Sequence, residues 1–395
     1  MTQREILVIG AVRTAIGTFG GSLKDVPLST LATTAVSASL ERSGVEPGQV
    51  GHLVMGNVVP TEPRDAYLSR VCAIDAGMPV ETPAFNVNRL CGSGLQAIVS
   101  AAQAIQLGDC DVAIAAGAES MSRGPFLLPG LRWGARLGDV QAVDYMNSVL
   151  HDPWQRVHMG VTAENVAERY GIDRAQQDAL ALESQRRAAR AIAEGRFREQ
   201  IVPVQLQTCK GSTLFDTDEH VRGDIDLDKL AGMRPIFRKD GGTVTAGNAS
   251  GLNDGAAALV LVAGRRAQAL GLKPLARLVG YAHAGVEPAY MGIGPVPAVR
   301  KVLERTGLSL AQMDVIEANE AFAAQACAVM QELGLDPEKV NPNGSGISLG
   351  HPIGATGAVI ATKAIHELQR TAGRYALVTM CIGGGQGIAA IFERV

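Results

Sequence analysis

A chain of 395 residues has room for two or three domains, each with its own core. Hydrophobic residues make up 47% but aromatics only 4%, with 46 glycines, so the core must be Ala, Val, Leu and Ile packed closely around tight turns. A net charge of −3 excludes a strongly basic nucleic-acid or membrane-surface binder, and no stretch approaches the roughly 18 apolar residues of a membrane helix.

In chain order, Ser29 caps a helix predicted over 30–42 that Gly44 stops, and Leu53-Val54-Met55 is the next strand. Phe85-Asn86-Val87 enters a Gly-rich turn at 91–94, and an Ala-rich helix then runs to about Leu107. The continuous apolar run from Val112 to Ala116 suits a strand buried on both faces. From about 121 the composition shifts. Asp173 can cap a helix near which Arg186, Arg187, Arg190, Arg196 and Arg198 gather, which reads as a solvated face. Later elements are helices near 298–305 and 357–369, a strand at Val315-Ile316 and another at 375–380. Such alternation implies a layered α/β core.

That core is written twice. A shift of 263 residues lays Leu40-Glu41-Arg42-Ser43-Gly44 on Leu303-Glu304-Arg305-Thr306-Gly307, Gly94 on Gly357, and 111–117 on 374–380. Residues 121–247 have no counterpart. The expected division is 1–120 with 248–270 as one half, 121–247 as an inserted loop domain, and 271–395 as the second half.

Six cysteines, at 72, 91, 110, 209, 327 and 381, form no C-x-x-C pair, so neither zinc nor a disulfide framework is expected. Cys91, in Asn88-Arg89-Leu90-Cys91-Gly92-Ser93-Gly94, precedes the first turn of a helix. Unpaired N–H groups there favour a thiolate nucleophile. The repeat places it near Gly354, in the Gly-rich turn Leu349–Gly357 that carries His351. Two such turns facing each other would pair a Cys with a His. Cys381 ends the last strand before Ile382-Gly383-Gly384-Gly385, where bare backbone N–H groups can meet an oxyanion, and its thiol could move a proton. Asn319 either caps the helix that opens at Asn319-Glu320-Ala321-Phe322-Ala323 or takes part in catalysis. Gly346-Ile347-Ser348-Leu349-Gly350 matches the G-x-S-x-G elbow of serine hydrolases, but the flanking Gly, Asn and Pro residues are wrong for the strand–turn–helix it needs.

The blocks Asn88–Ile98, His158–Asn165, Thr243–Asp254, Asn319–Ala323, Gly350–Gly357 and Cys381–Gly387 resemble the thiolases, acetyl-CoA acyltransferases, nearly end to end. Within that family Leu150-His151-Asp152-Pro153 and Asn341–Ser348 are most like bacterial β-ketothiolases of broad short-chain specificity, associated with polyhydroxyalkanoate synthesis. The resemblance implies a duplicated five-layered αβαβα fold with an inserted loop domain, and a reversible condensation or thiolysis of coenzyme A thioesters. It implies Cys91 as nucleophile, His351 as its activator and Cys381 as acid/base. One oxyanion hole would come from His351 and an Asn319-held water, the other from the N–H groups of Cys91 and Gly383. His158, Met159, Arg222, Ser250, Met291 and Phe322 match coenzyme A contact positions. Acetyl-CoA, short-chain acyl-CoA, 3-ketoacyl-CoA and CoA are then substrates or products, with no separate cofactor or metal and with neither nucleic acid nor membrane as partner. The implied assembly is a homotetramer or homodimer. The compartment is expected to be the cytoplasm, because Met1-Thr2-Gln3-Arg4-Glu5 opens no secretory signal and Phe392-Glu393-Arg394-Val395 is not a peroxisomal one. Ser345, Gly346 and Val157 depart from the common pattern, suggesting a roomier acyl pocket. The second cysteine separates this reading from decarboxylating ketoacyl synthases, and the assembled site separates it from a non-enzymatic scaffold.

Overall fold

The computed structural model describes residues 4–208 and 211–395; Cys209 lies outside them. The first half runs β1 (Ile6–Thr14), α1 (Leu28–Ser43), β2 (His52–Gly56), β3 (Ala84–Val87), α2 (Ser93–Leu107) and β4 (Val112–Ser120). An excursion carrying α3 (Met159–Tyr170) and α4 (Arg174–Ala193) follows, before the chain returns in β5 (Asn253–Ala263). The second half runs β6 (Ala276–Gly285), α5 (Pro295–Thr306), β7 (Val315–Ala318), α6 (Ala323–Leu333), α7 (Thr356–Thr371), β8 (Tyr375–Ile382) and β9 (Gln386–Arg394).

The duplication shows in the strand order. One half has β3-β2-β4-β5-β1 and the other β7-β8-β9-β6. In each, a parallel pair (β2 with β4, β7 with β8) is followed by two antiparallel ones. Among the described residues, the half-sheets join edge to edge through Leu7↔Arg277 and Val8↔Ala276. Each half supplies an outer helix, α1 or α5, and a sheet. Helices α2 and α7 pack against each other between the sheets as the middle of five layers. Burial on both faces explains why β4 and β5 are buried at every residue and read as unbroken apolar runs.

The seam between α2 and α7 needs glycine. A Cβ on Gly94 would stand 2.6 Å from the Ala358 nitrogen and 3.0 Å from the Ala355 oxygen. One on its repeat partner Gly357 would collide with the Leu95 backbone nitrogen. Every one of those neighbours is main chain, which cannot give way as a side-chain tip can. The pseudo-equivalent glycines therefore set how closely the two turns preceding these helices approach.

The excursion from 121 to 252 occupies the place that the three-glycine turn 383–385 fills between β8 and β9. It is stitched back to the first half. Ile201 and Val202 pair with Arg13 and Thr14, and the fully buried Arg13 guanidinium holds Asp218 at 2.7 and 2.9 Å and Gln200 at 2.8 Å. The predicted solvated arginine face is only partly that. Arg186, Arg190 and Arg198 are exposed, but Arg187 donates to the Pro337 and Val340 carbonyls and Arg196 to Asn343, tying α4 to the second half.

Two predicted caps fall elsewhere. Pro27, not Ser29, precedes the first turn of α1: it lacks the N–H that would go unpaired there, and Ser29 makes no cap bond. The N-cap of α6 is Phe322, so Asn319 lies outside the helix and caps nothing. Asp173 does cap α4, accepting from the Gln176 N–H, and Gly44 ends α1 with φ +68°. Among the described residues, no helix is long and apolar enough to cross a membrane.

Candidate active site

The chain reaches Cys91 through strain. Leu90 has φ +47°, a conformation that a bulky side chain rarely adopts. It is held by Asn88, whose Oδ1 accepts the Leu90 N–H at 2.9 Å, and by Ser93, whose Oγ donates to the Leu90 carbonyl at 2.7 Å. Such over-determined strain is a mark of functional sites. The kink swings the next residue, Cys91, onto a cavity wall at the start of α2, where it stays partly open.

His351 is delivered by the partner turn before α7. Its N–H donates to Asn253 Oδ1 at 2.9 Å, and its Nδ1 lies 2.7 Å from Thr356 Oγ1. Nε2 is buried without a partner. Glu119, at the end of β4, binds the two turns together. Its carboxylate accepts from Val58 N, Val59 N, Asn57 Nδ2 and, across the seam, Gly354 N at 2.8 Å. Burial pushes its pKa up to about 8 against the pull of those donors.

Cys381 closes β8 on the same cavity, followed by Gly383. A Cβ at Gly383 would press at 3.3 Å on Leu90 and 3.5 Å on the Met159 sulfur, so a bare backbone keeps the space beside Cys91 open. The N–H groups of Gly383 and of Cys91 itself both stabilise charge on the Cys91 sulfur. Burial outweighs them, and the Cys91 thiol stands at about 11. Burial likewise raises Cys381, with the Cys91 sulfur adding to the effect, and lowers His351 to about 4. The helix start that favours a thiolate at Cys91 is thus opposed by burial, which acts on Cys381 in the same direction. For both thiols and the imidazole desolvation is the largest influence, and it favours the uncharged form.

One cavity of roughly 500 Å³ is lined by Cys91, His351, Cys381 and Gly383 together with His158, Met159, Arg222, Ser250, Met291 and Phe322. Arg222 is exposed, while Met159, Met291 and Phe322 are buried parts of the wall. The His158 ring stacks on Phe237 at 4.7 Å, and its Nδ1 accepts the Gly160 N–H at 3.0 Å. Asn319 alone of the predicted set does not line the cavity. It is 1% exposed, its N–H donates to the Thr379 carbonyl, and neither side-chain atom finds a partner. Buried amides are nearly always paired, so this one is set aside for something that joins it.

The sequence pattern of the thiolase N-terminal domain matches residues 6–265, and that of the thiolase C-terminal domain matches 272–394. The chain belongs to the thiolase family. It is 66% identical to beta-ketothiolase BktB of Cupriavidus necator, over 99% of this chain and 100% of that protein. Its structure is similar to that of the Bacillus anthracis acetyl-CoA acetyltransferase, with 48% identity, a TM-score of 0.97, and 100% and 99% of the two chains covered. It is also similar to human mitochondrial 3-ketoacyl-CoA thiolase in complex with CoA, with 42% identity, a TM-score of 0.96, and 99% and 98% covered. Thiolase-fold neighbours of this quality establish the αβαβα fold class.

Several positions stand apart from the thiolase pattern read in the sequence. Ser345, Gly346 and Val157 do not line the cavity. Ser345 caps the short helix Gly346–Leu349, and a Cβ at Gly346 would stand 2.9 Å from Asn319 Oδ1, so the roomier acyl pocket inferred from them has no support in the geometry. Ser348, centre of the G-x-S-x-G string, is buried against Ser184 and Ser345 away from the cavity. Wall residues Met121, Met146, Leu150, Phe237 and Ile353 escaped the sequence reading. An apolar residue lining a cavity looks the same in sequence as one in the core.

Proposed function

We propose that this cavity performs reversible acyl transfer between coenzyme A thioesters, with Cys91 as nucleophile, His351 as its base and Cys381 as acid and base. As a thiolase, the chain condenses acetyl-CoA with an acyl-CoA and cleaves 3-ketoacyl-CoA with CoA. The observation that carries the residue roles is a partly open thiol, a buried thiol and an unpaired imidazole nitrogen around one cavity. Cys91 sulfur attacks the thioester carbonyl as His351 takes its proton. Cys381, whose proton burial retains, gives it to the departing CoA sulfur as the S–C bond breaks. Acetyl-Cys91 then faces a Cys381 thiolate beside a protonated His351. That thiolate removes an α-proton from the second acetyl-CoA, and the enolate carbon attacks the acetyl group. The new C–C bond forms, the Cys91–carbon bond breaks, and the Cys91 sulfur recovers its proton from His351. Splitting the reaction through an acyl-enzyme makes it ping-pong.

Oxyanions form twice. The N–H groups of Cys91 and Gly383 meet the one at Cys91, and His351 with an Asn319-held water meets the enolate. His158, Met159, Arg222, Ser250, Met291 and Phe322 contact coenzyme A along the cavity, so CoA is substrate and no separate cofactor is needed. We place the division of the chain at 1–120 with 248–270, 121–247 and 271–395. The reading extends to a cytoplasmic homotetramer or homodimer acting in polyhydroxyalkanoate or fatty-acid metabolism. Trp133 and Leu137 stand 90% and 97% exposed, and the outer strand β3 has an open edge, both features that a second copy would cover.

The test is intact-protein mass spectrometry after incubation with acetyl-CoA, followed by peptide mapping. One acetyl group on Cys91 is expected, absent in Cys91→Ser and still reached in Cys381→Ala, more slowly because the departing CoA sulfur lacks its proton donor, with no condensation after it. Acetylation mapped to another residue, or full turnover in either variant, rejects the assignment.

A further inference from the structure

Thr356 sits one turn into the chain beyond His351, 2% exposed, and its hydroxyl makes two short contacts. Oγ1 lies 2.7 Å from His351 Nδ1 and 2.9 Å from the Pro352 carbonyl oxygen. A hydroxyl has one hydrogen. If that hydrogen pointed at Nδ1, the 2.9 Å contact would set oxygen lone pairs against a carbonyl oxygen. Only one arrangement makes both contacts hydrogen bonds: Nδ1–H donates to Oγ1, and Oγ1–H donates to Pro352. The imidazole hydrogen is then on Nδ1, and Nε2 carries the lone pair. Nε2 is the ring atom buried without a protein partner.

We propose that Thr356 is a positioning residue that fixes the Nδ1–H tautomer of His351, keeping Nε2 free to take the Cys91 proton. The proposal rests on the reading of His351 as the base of that reaction, and it adds the device that orients the base. A histidine that acts on one nitrogen needs the other held, because the wrong tautomer presents a hydrogen where a lone pair is required. Asn253 secures the same residue through the His351 backbone N–H, so the residue is held once at its main chain and once at its ring. Thr356 is also the first residue of α7, one position before the seam glycine Gly357. The helix packing that aligns the two turns thus sets the hydroxyl that orients the ring.

The direct test is nitrogen NMR of ¹⁵N-histidine-labelled intact protein near neutral pH, with the His351 signals assigned by difference from His351→Asn. A protonated Nδ1 and an unprotonated Nε2 are expected; the reverse pattern overturns the proposal whatever the kinetics show. In Thr356→Val, which keeps the shape and loses the hydroxyl, kcat should fall roughly tenfold to a hundredfold, a part of what a general base contributes. KM for CoA should stay within about twofold, and alkylation of Cys91 by iodoacetamide should slow in step with kcat. Thr356→Ser, which keeps the hydroxyl, should restore the rate and the NMR pattern even if the valine variant folds poorly. An unchanged kcat and pH–rate profile in a folded Thr356→Val protein overturns the role. Acyl-enzyme formation at the normal rate in His351→Asn would instead sink the base assignment while leaving the tautomer measurement standing.

Discussion

Replacing Gly94 with alanine sets two effects of opposite sign against each other. In a helix interior alanine is favoured over glycine by about 1 kcal/mol, and Gly94, the second residue of α2, should feel at most that, so propensity alone makes the variant slightly more stable. The new Cβ, however, would meet Ala358 N at 2.6 Å, Ala355 O at 3.0 Å and Gly354 O at 3.1 Å. Restoring ordinary separation requires the seam between α2 and α7 to open by close to 1 Å, since normal contact begins near about 3.5 Å. Overpacking of this kind costs about 1–3 kcal/mol, so the net change in stability is small and unfavourable, about 0–2 kcal/mol. The effect on rate should be larger. Cys91 lies three residues before Gly94, and His351 sits in the turn that Gly354 ends, so opening the seam moves nucleophile and base apart. A misplacement of about 1 Å costs on the order of a hundredfold. Urea unfolding and acetoacetyl-CoA thiolysis on the same preparation separate the two: a modest loss of stability with a large loss of kcat is expected. A variant more stable than wild type with kcat within threefold would refute the claim that this contact sets the geometry of the site.

Three further outcomes follow from particular contacts. Asp218→Asn leaves the fully buried Arg13 cation without its counter-charge and should cost about 3–5 kcal/mol by urea unfolding; a change below about 1 kcal/mol would show that the pair does not hold the excursion to the first half. Asn319→Ala should lower kcat for condensation roughly a hundredfold or more, with little change in the acetylation of Cys91, because the unpaired amide is assigned to the enolate step; equal losses in both half-reactions would contradict that. His351, buried and lowered from 6.5 to about 4, binds its proton later in the folded than in the unfolded chain. Its contribution is complete above pH 6.5 and is lost as pH falls toward 4, by up to about 3 kcal/mol, so the stability difference between wild type and His351→Asn should shrink over that range. A difference independent of pH would mean that the imidazole is not held neutral.

Many of the elements were legible in the sequence because their signals are local. The αL glycine after α1, the apolar run of β4 and the acidic cap of α4 each follow from a few neighbouring side chains. The register of 263 residues between halves was equally plain, and it predicted that Val112–Ser120 and Tyr375–Ile382 are the same strand in two copies. Cys91 and His351 stood out because the repeat puts them on two copies of one Gly-rich turn, and Cys381 because it ends a strand before a glycine run; the thiolase resemblance implied their roles. Asn319 was ambiguous for the opposite reason: an Asn before a helix is what a cap looks like, and only the placement of α6 four residues later removes that explanation.

The linear chain already carried the duplicated α/β pattern, the inserted excursion and the cysteine and histidine candidates to which the proposal gives roles. Packing in three dimensions was needed to show that burial raises the Cys91 and Cys381 thiols and that the Asn319 amide has no partner. It likewise decided that Ser345 and Gly346 stand behind the wall, and that Arg13 reaches across 205 residues to Asp218. The physical reason is common to all of these. Protonation and pairing depend on how much water is excluded and which donors lie nearby, and those quantities arise only when segments remote in the chain are packed together.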